Sequence, residues 1–134
     1  MKKYTGLWID HKEAILVSIE GDQTFVEHIA SGAESHLKPS GGWKAGGTLV
    51  AQAVSHEHTA DERRKHQYHA FYQNVIGRLH HSESIALFGP GEAKIELAKE
   101  IARVSDLHSK VAVVEICDRL TENQLIAKVK ALFL

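Results

Sequence analysis

Hydrophobic and polar residues alternate along the first thirty positions in three short runs. The runs cover residues 4–9, 14–19 and 24–29, and polar turns at 10–13 and 21–22 separate them. Alternation with a period of two is typical of half-buried strands, and tight polar connections favour antiparallel pairing. The first part of the chain is therefore predicted to form a three-stranded meander.

Two more strands are predicted later in the chain, at residues 84–88 and 111–116. The second is apolar enough to be covered on both faces of a sheet. Helical patterns follow the meander and each later strand, and right-handed crossovers place the last two strands beside the first. The predicted fold is α/β: a ribonuclease-H-like mixed five-stranded sheet in the order 3-2-1-4-5, with the first three strands antiparallel and with three helices.

Capping boxes mark the predicted beginnings of two helices. Thr59 is followed three residues later by Glu62, and Thr121 by Gln124, so that each threonine can cap the helix that follows it. The first of these helices is expected to end near Leu79. The middle helix is expected to begin at the Gly-Pro-Gly turn that follows the fourth strand.

Residues 30–58 have a different character, because glycine is concentrated in the stretch 40–47. Glycine is costly inside a regular element, and long irregular segments in compact domains are usually functional or disordered. The chain is expected to be one domain, 1–134, with a long glycine-rich loop at about 30–58.

Composition restricts the classes of function. The chain has 134 residues, a formal net charge of -1 and a hydrophobic fraction of 43%, so any RNA contact must use a local basic patch. Cys117 is the single cysteine, which excludes an internal disulfide and fits a reducing cytoplasm. No apolar run approaches the length of a membrane span.

Three segments resemble a known family, and together they extend over nearly the whole chain. Trp8–Ala14, Phe88–Lys94 and Glu115–Thr121 resemble bacterial relatives of the peptide-chain release factor middle domain, often labelled translational machinery proteins. Arg63–Tyr68 resembles the basic start of the long helix in release factors of archaea and eukaryotes. The resemblance implies a translation-related protein whose partner is the ribosome or RNA.

The resemblance does not extend to the hydrolytic motif of those factors. There, a Gly-Gly-Gln loop precedes the long helix and helps water to cleave peptidyl-tRNA. Here, Trp43 follows one glycine pair and Thr48 follows the other, at Gly46-Gly47. The expected protein is therefore non-enzymatic and needs no cofactor.

The loop and the basic helix start are the predicted RNA-binding region, because cations contact phosphates and an aromatic ring can stack on a base. Acidic neighbours dilute the charge, and a solvated surface is the alternative. The candidate residues are Lys38, Gly41, Gly42, Trp43, Lys44, Arg63, Arg64 and Lys65.

Two other sites are weighed as alternatives. Asp10, His11 and Asp118 follow strands whose carboxyl ends share one sheet edge, where a metal-dependent phosphohydrolase or nuclease would hold its ions. The simpler interpretation is that Asp10 begins a hairpin turn and Asp118 precedes a helix cap. The turn Gly89–Gly91 could hold a phosphate at the start of a helix. A structural role, in which its glycines let helix and sheet pack closely, explains the turn better.

A histidine cluster is the last candidate. Imidazoles at helical spacing can chelate zinc or a similar ion, whereas the simpler interpretation is a solvated polar helix start. The residues are His56, His58, His66 and His69. An interaction or oligomerisation module without chemistry, including a homo-oligomer, is the third alternative function.

Overall fold

The computed structural model describes residues 2–32 and 46–134, and within the first helix it describes side chains from Glu62 onward. In the described part of the chain, five strands and three helices follow one another in the predicted order βββαβαβα. Their bounds are β1 Lys3–Ile9, β2 Glu13–Glu20, β3 Gln23–Ala30, α1 Gly46–Gly77, β4 Ser82–Gly89, α2 Ala93–Ile101, β5 Val111–Ile116 and α3 Glu122–Phe133.

The five strands form one mixed sheet in the order β3-β2-β1-β4-β5. β1 pairs antiparallel with β2 and parallel with β4, and β5 is parallel to β4. Both predictions, the α/β class and the strand order, are confirmed, and the ribonuclease-H-like description is compatible with this sheet. β1 therefore lies at the centre of the sheet, although it comes first in the chain.

The core has two parts, one on each face of the sheet. Alternation along β1 sends Leu7 and Ile9 to the face that α1 and α2 cover, and Trp8 to the face that α3 covers. On the first face, α1 contributes the buried residues Phe71, Tyr72, Val75, Ile76 and Leu79. On the second face, Leu125 and Val129 of α3 pack against the sheet.

Two glycines allow the backbone to approach closely at the centre of the sheet. A Cβ on Gly89 would lie 2.2 Å from the carbonyl oxygen of Ile9, and a Cβ on Gly6 would lie 2.4 Å from a methyl carbon of Val129. Gly89 therefore sets the spacing between β4 and β1, and Gly6 lets α3 lie directly on β1.

The predicted beginning of the first helix is wrong. Thr59 is not an N-cap, because α1 already begins at Gly46, and the expected irregular loop does not continue to residue 58. The physical reason is that residues 49–54 consist of Leu, Val, Ala and Gln, most of which suit a helix interior. The apparent capping box at Thr59–Glu62 follows this run within the same helix and does not interrupt it.

Two other expectations need correction. The middle helix, α2, was expected to begin at the Gly-Pro-Gly turn, but Pro90 lies before the helix. The N-cap of α2 is Glu92. β5 has the predicted bounds but is not covered on both faces, since Val114 and Ile116 are exposed. The capping box at Thr121 is confirmed: its hydroxyl accepts from the Gln124 N–H, and the Gln124 side chain accepts from the Thr121 N–H.

Candidate functional site

The basic segment of α1 is the described part of the predicted RNA-binding region. Arg63 and Lys65 are exposed and Arg64 is half-buried. Because successive helix residues are about 100° apart, these three side chains point in different directions rather than forming one face. The other predicted RNA-binding residues, Lys38, Gly41, Gly42, Trp43 and Lys44, lie outside the described residues, so their role stays a prediction.

The histidine cluster is only partly described. His66 and His69 are exposed on α1, and His69 Nδ1 lies 3.1 Å from Glu100 Oε1 on α2. The side chains of His56 and His58 are outside the described set. Among the side chains that the structure describes, no three His, Cys, Asp or Glu residues lie close enough to hold a metal ion.

Asp10 serves the turn between β1 and β2. Its Oδ1 accepts hydrogen bonds from the backbone N–H of Lys12 at 2.8 Å and of Glu13 at 2.9 Å. This arrangement matches the simpler interpretation made from the sequence, a side chain that begins a hairpin turn. Asp10, His11 and Asp118 are all described and do not form a metal-binding group.

His11 belongs to a different cluster, on the α1 and α2 side of the sheet. Its Nε2 donates to Glu96 Oε1 at 3.0 Å, and the hydroxyl of Tyr72 donates to the same oxygen at 2.5 Å. The ring of His11 also stacks on Tyr68, with 4.7 Å between ring centroids. We call His11, Tyr72 and Glu96 the Glu96 brace, because one carboxylate ties the β1–β2 turn to both helices.

Burial makes the Tyr72 hydroxyl hard to ionise. Burial first, and then the hydrogen bond to the Glu96 carboxylate, raise the pKa of Tyr72 far above its ordinary value of 10.0. Tyr72 therefore remains a hydrogen-bond donor to Glu96 across the physiological pH range. The arrangement fixes three elements against one another.

The residues after β5 are held by β1 and its turn. The indole Nε1 of Trp8 donates to the carbonyl oxygens of Cys117 at 3.1 Å and of Asp118 at 3.2 Å. The guanidinium of Arg119 lies 4.8 Å from the Trp8 ring centroid, and its Nη1 is 2.6 Å from Glu13 Oε2. Asp118 thus contributes its backbone to this contact, while its carboxylate has no ion pair in the described part of the chain.

The Gly-Pro-Gly turn has a structural role. Gly89 ends β4 against β1, and the Lys94 ammonium, although almost fully buried, donates to the carbonyl oxygen of Gly91 at 2.6 Å. Lys94 therefore closes the turn on itself. This geometry fits the preferred sequence interpretation, in which the turn packs helix and sheet together.

Sequence analysis missed Glu96, Tyr72 and Arg119. The first two lie on helical faces that the hydrophobic pattern assigned only to packing and solvent, and their partner His11 is 85 residues from Glu96. The one signal in the sequence was that Glu96 is a polar residue directly beside the apolar stripe of its helix. That position indicates a half-buried carboxylate, but it does not show that His11 and Tyr72 bind it.

Comparisons with known proteins show the fold. No protein-family model and no curated protein matches the chain. Among solved structures, the chain is similar to the Pelota protein of Thermoplasma acidophilum, with 18% identity and a TM-score of 0.53 over 91% of this chain. It is also similar to Pelota of Archaeoglobus fulgidus, with 14% identity and a TM-score of 0.54 over 98%.

A third similar structure is the archaeal translation termination factor aRF1, with 15% identity and a TM-score of 0.50 over 98% of this chain. The chain spans only about a third of these proteins, covering 30%, 31% and 35% of their lengths. At these identities the similarity establishes a shared fold with one part of each protein. No described helix has the length and apolar character needed to cross a membrane.

Proposed function

We propose that this chain acts in translation, as a non-enzymatic cytoplasmic protein that associates with the ribosome or with RNA. The observation that supports the proposal most is the shared fold: nearly the whole chain matches one part of a protein named as a translation termination factor. The bacterial release-factor relatives that the sequence resembles support the same function.

The basic start of α1 and the glycine-rich segment before it are the proposed contact region. Arg63 and Lys65 are exposed cations on one continuous helix, and Lys38, Trp43 and Lys44 precede that helix in the sequence. Cations bind nucleic-acid phosphates by releasing condensed counterions, so this contact should weaken as salt rises.

Peptidyl-tRNA hydrolysis is not part of the proposal. The sequence contains no Gly-Gly-Gln, and its two glycine pairs are followed by Trp43 and Thr48. In a peptide-release assay with loaded ribosomes, we expect no release above the buffer control.

Cosedimentation with purified ribosomes tests the association. The triple change Arg63→Ala, Arg64→Ala and Lys65→Ala should reduce the bound fraction several-fold and flatten its salt dependence. A matched control replaces three exposed cations elsewhere, Lys99, Arg103 and Lys130, with alanine. This control removes the same net charge and should bind like the wild type.

Two results would contradict the proposal. One is wild-type protein that never migrates with ribosomes or binds RNA at low salt. The other is equal loss of binding in the triple variant and in the control, which would mean that only overall charge matters.

A further inference from the structure

Two exposed histidines follow the basic residues of α1. His66 lies three residues after Arg63, and His69 lies four residues after Lys65, so each histidine shares a helix face with one of these cations. Histidine is the side chain whose charge ordinarily changes between about pH 5 and pH 8. Protonation of either imidazole therefore adds positive charge beside the proposed RNA contact.

The two imidazoles have different surroundings. Within the described part of the chain, His66 takes part in no hydrogen bond or ion pair. His69 Nδ1 lies 3.1 Å from Oε1 and 3.2 Å from Oε2 of Glu100 on α2. The Glu100 side chain is only 18% exposed, and its Oε1 also accepts a hydrogen bond from Gln73 Nε2 at 2.9 Å. Glu100 is thus held beside His69, where it neutralises the charge that His69 gains on protonation.

Among the described residues, the carboxylates of other elements that contact α1 or the residue directly after it are already paired. They are Glu96 and Glu100 of α2 and Glu27 of β3, and their partners are His11, Tyr72, His69, Gln73 and Arg78. None of these contacts involves His66. On α1 itself, Glu62 and Arg63 both lie one turn before His66, and their formal charges offset each other. Protonation of His66 therefore makes the net charge of this turn positive.

We propose that protonation of His66, and not of His69, makes the RNA affinity of this segment rise as the pH falls from about 8 to about 6. This inference rests on the proposed function, whose contact region it makes sensitive to pH. The group that His66 recognises is an RNA phosphate, which stays negatively charged throughout this range. Because a phosphate stabilises the protonated imidazole, RNA and the proton each favour binding of the other. At His69, Glu100 already supplies this stabilisation.

Fluorescence anisotropy with labelled polyuridylate measures this effect on the full chain, since uracil itself gains no proton in this range. At low salt, wild-type protein should bind about two- to fivefold more tightly at about pH 6 than at about pH 8. The plot of log affinity against log salt should become steeper by about 0.7, the value for one more phosphate contact on a single strand. His66→Gln should reduce both changes.

Four further variants separate His66 from its neighbour, and circular dichroism verifies that each one folds. His66→Lys carries a charge at both pH values, so it should bind more tightly than wild type at about pH 8 and gain less on acidification. His69→Gln is the matched control and should keep the wild-type gain. Glu100→Gln releases His69 and should enlarge the gain. Glu83→Gln makes the same charge change at an exposed position on β4 and should not enlarge it.

Equal gains on acidification in wild type and in His66→Gln would overturn this inference. So would an equal reduction of the gain in His69→Gln and in His66→Gln, since Glu100 would then not distinguish the two histidines. Binding that does not change with pH would overturn this inference and leave the proposed function standing. Absence of binding to polyuridylate at either pH would also overturn it, while cosedimentation with ribosomes decides the proposed function separately.

Discussion

Gly89 determines how closely β4 can lie beside β1 at the carboxyl end of the parallel strands. The atom that a Cβ would meet, at 2.2 Å, is the backbone oxygen of Ile9, which cannot rotate away as a side chain can. We therefore expect Gly89→Ala to lower the free energy of unfolding by about 1–3 kcal/mol, the usual cost of overpacking. Urea denaturation followed by circular dichroism measures this change.

Gly91→Ala is the control for that experiment. Two residues further along the same turn, a Cβ on Gly91 meets nothing within 4 Å. Its effect should stay within about 0.5 kcal/mol, as for most surface changes. Equal losses of stability in the two variants would contradict this explanation, because only the Cβ at position 89 would meet Ile9.

Tyr72 makes stability depend on pH in the alkaline range. Because its pKa is raised by burial and by Glu96, the folded protein keeps a proton that the unfolded chain loses above its ordinary pKa of 10.0. Stability from this group is complete below pH 10 and declines as the pH rises further. Tyr72→Phe should flatten this alkaline decline, and should cost about 1 kcal/mol near pH 7 by removing a hydrogen bond.

Urea denaturation at several pH values between about 8 and 11 measures the effect of Tyr72→Phe. Tyr68→Phe is the matched control. The ring of Tyr68 stacks on His11, but the hydroxyl that donates to Glu96 belongs to Tyr72, so this variant keeps that hydrogen bond. An alkaline decline that is the same in the Tyr72 variant and in wild type would contradict this role.

The helix α3 depends on its first turn, since it covers one face of the sheet alone. Thr121→Ala removes the hydroxyl that accepts from the Gln124 N–H at 3.1 Å. Loss of such a cap should cost about 1 kcal/mol, measured by thermal or urea denaturation. Thr121→Ser should restore the stability, and Asn123→Ala, at an exposed position in the same turn, should have little effect. A loss that serine does not restore would point to the methyl group rather than to the cap.

Among the elements, strands were easier to predict than helix beginnings. The meander and β5 follow from alternation and from apolar runs with polar breaks, which are local signals. The beginning of α1 was predicted fourteen residues too late, at residue 60 instead of Gly46, because Thr59–Glu62 satisfies the capping pattern while the preceding residues also favour a helix. A local cap signal cannot show that the helix has already begun.

The exposure of β5 also could not be predicted from its composition. An apolar run is compatible with a strand that is buried on both faces and with one at an edge. The difference lies in how far α2 and α3 extend over the sheet, which depends on packing across the molecule. Likewise, the Glu96 brace joins residues 24 and 85 positions apart, which no local pattern brings together.

At the scale of the whole molecule, the central position of β1 determines the order in which the chain can fold. The meander can form as soon as β3 has been synthesised, but β1 still lacks its other neighbour. The buried hydrogen bond between the hydroxyls of Thr5 and Ser82, 2.8 Å long, joins residues 77 positions apart. During synthesis, the edge of β1 that pairs with β4 therefore stays unpaired until β4 has been synthesised. Contacts between residues so far apart in the sequence form slowly, so we expect the pairing of β4 with β1 to be a late step in folding.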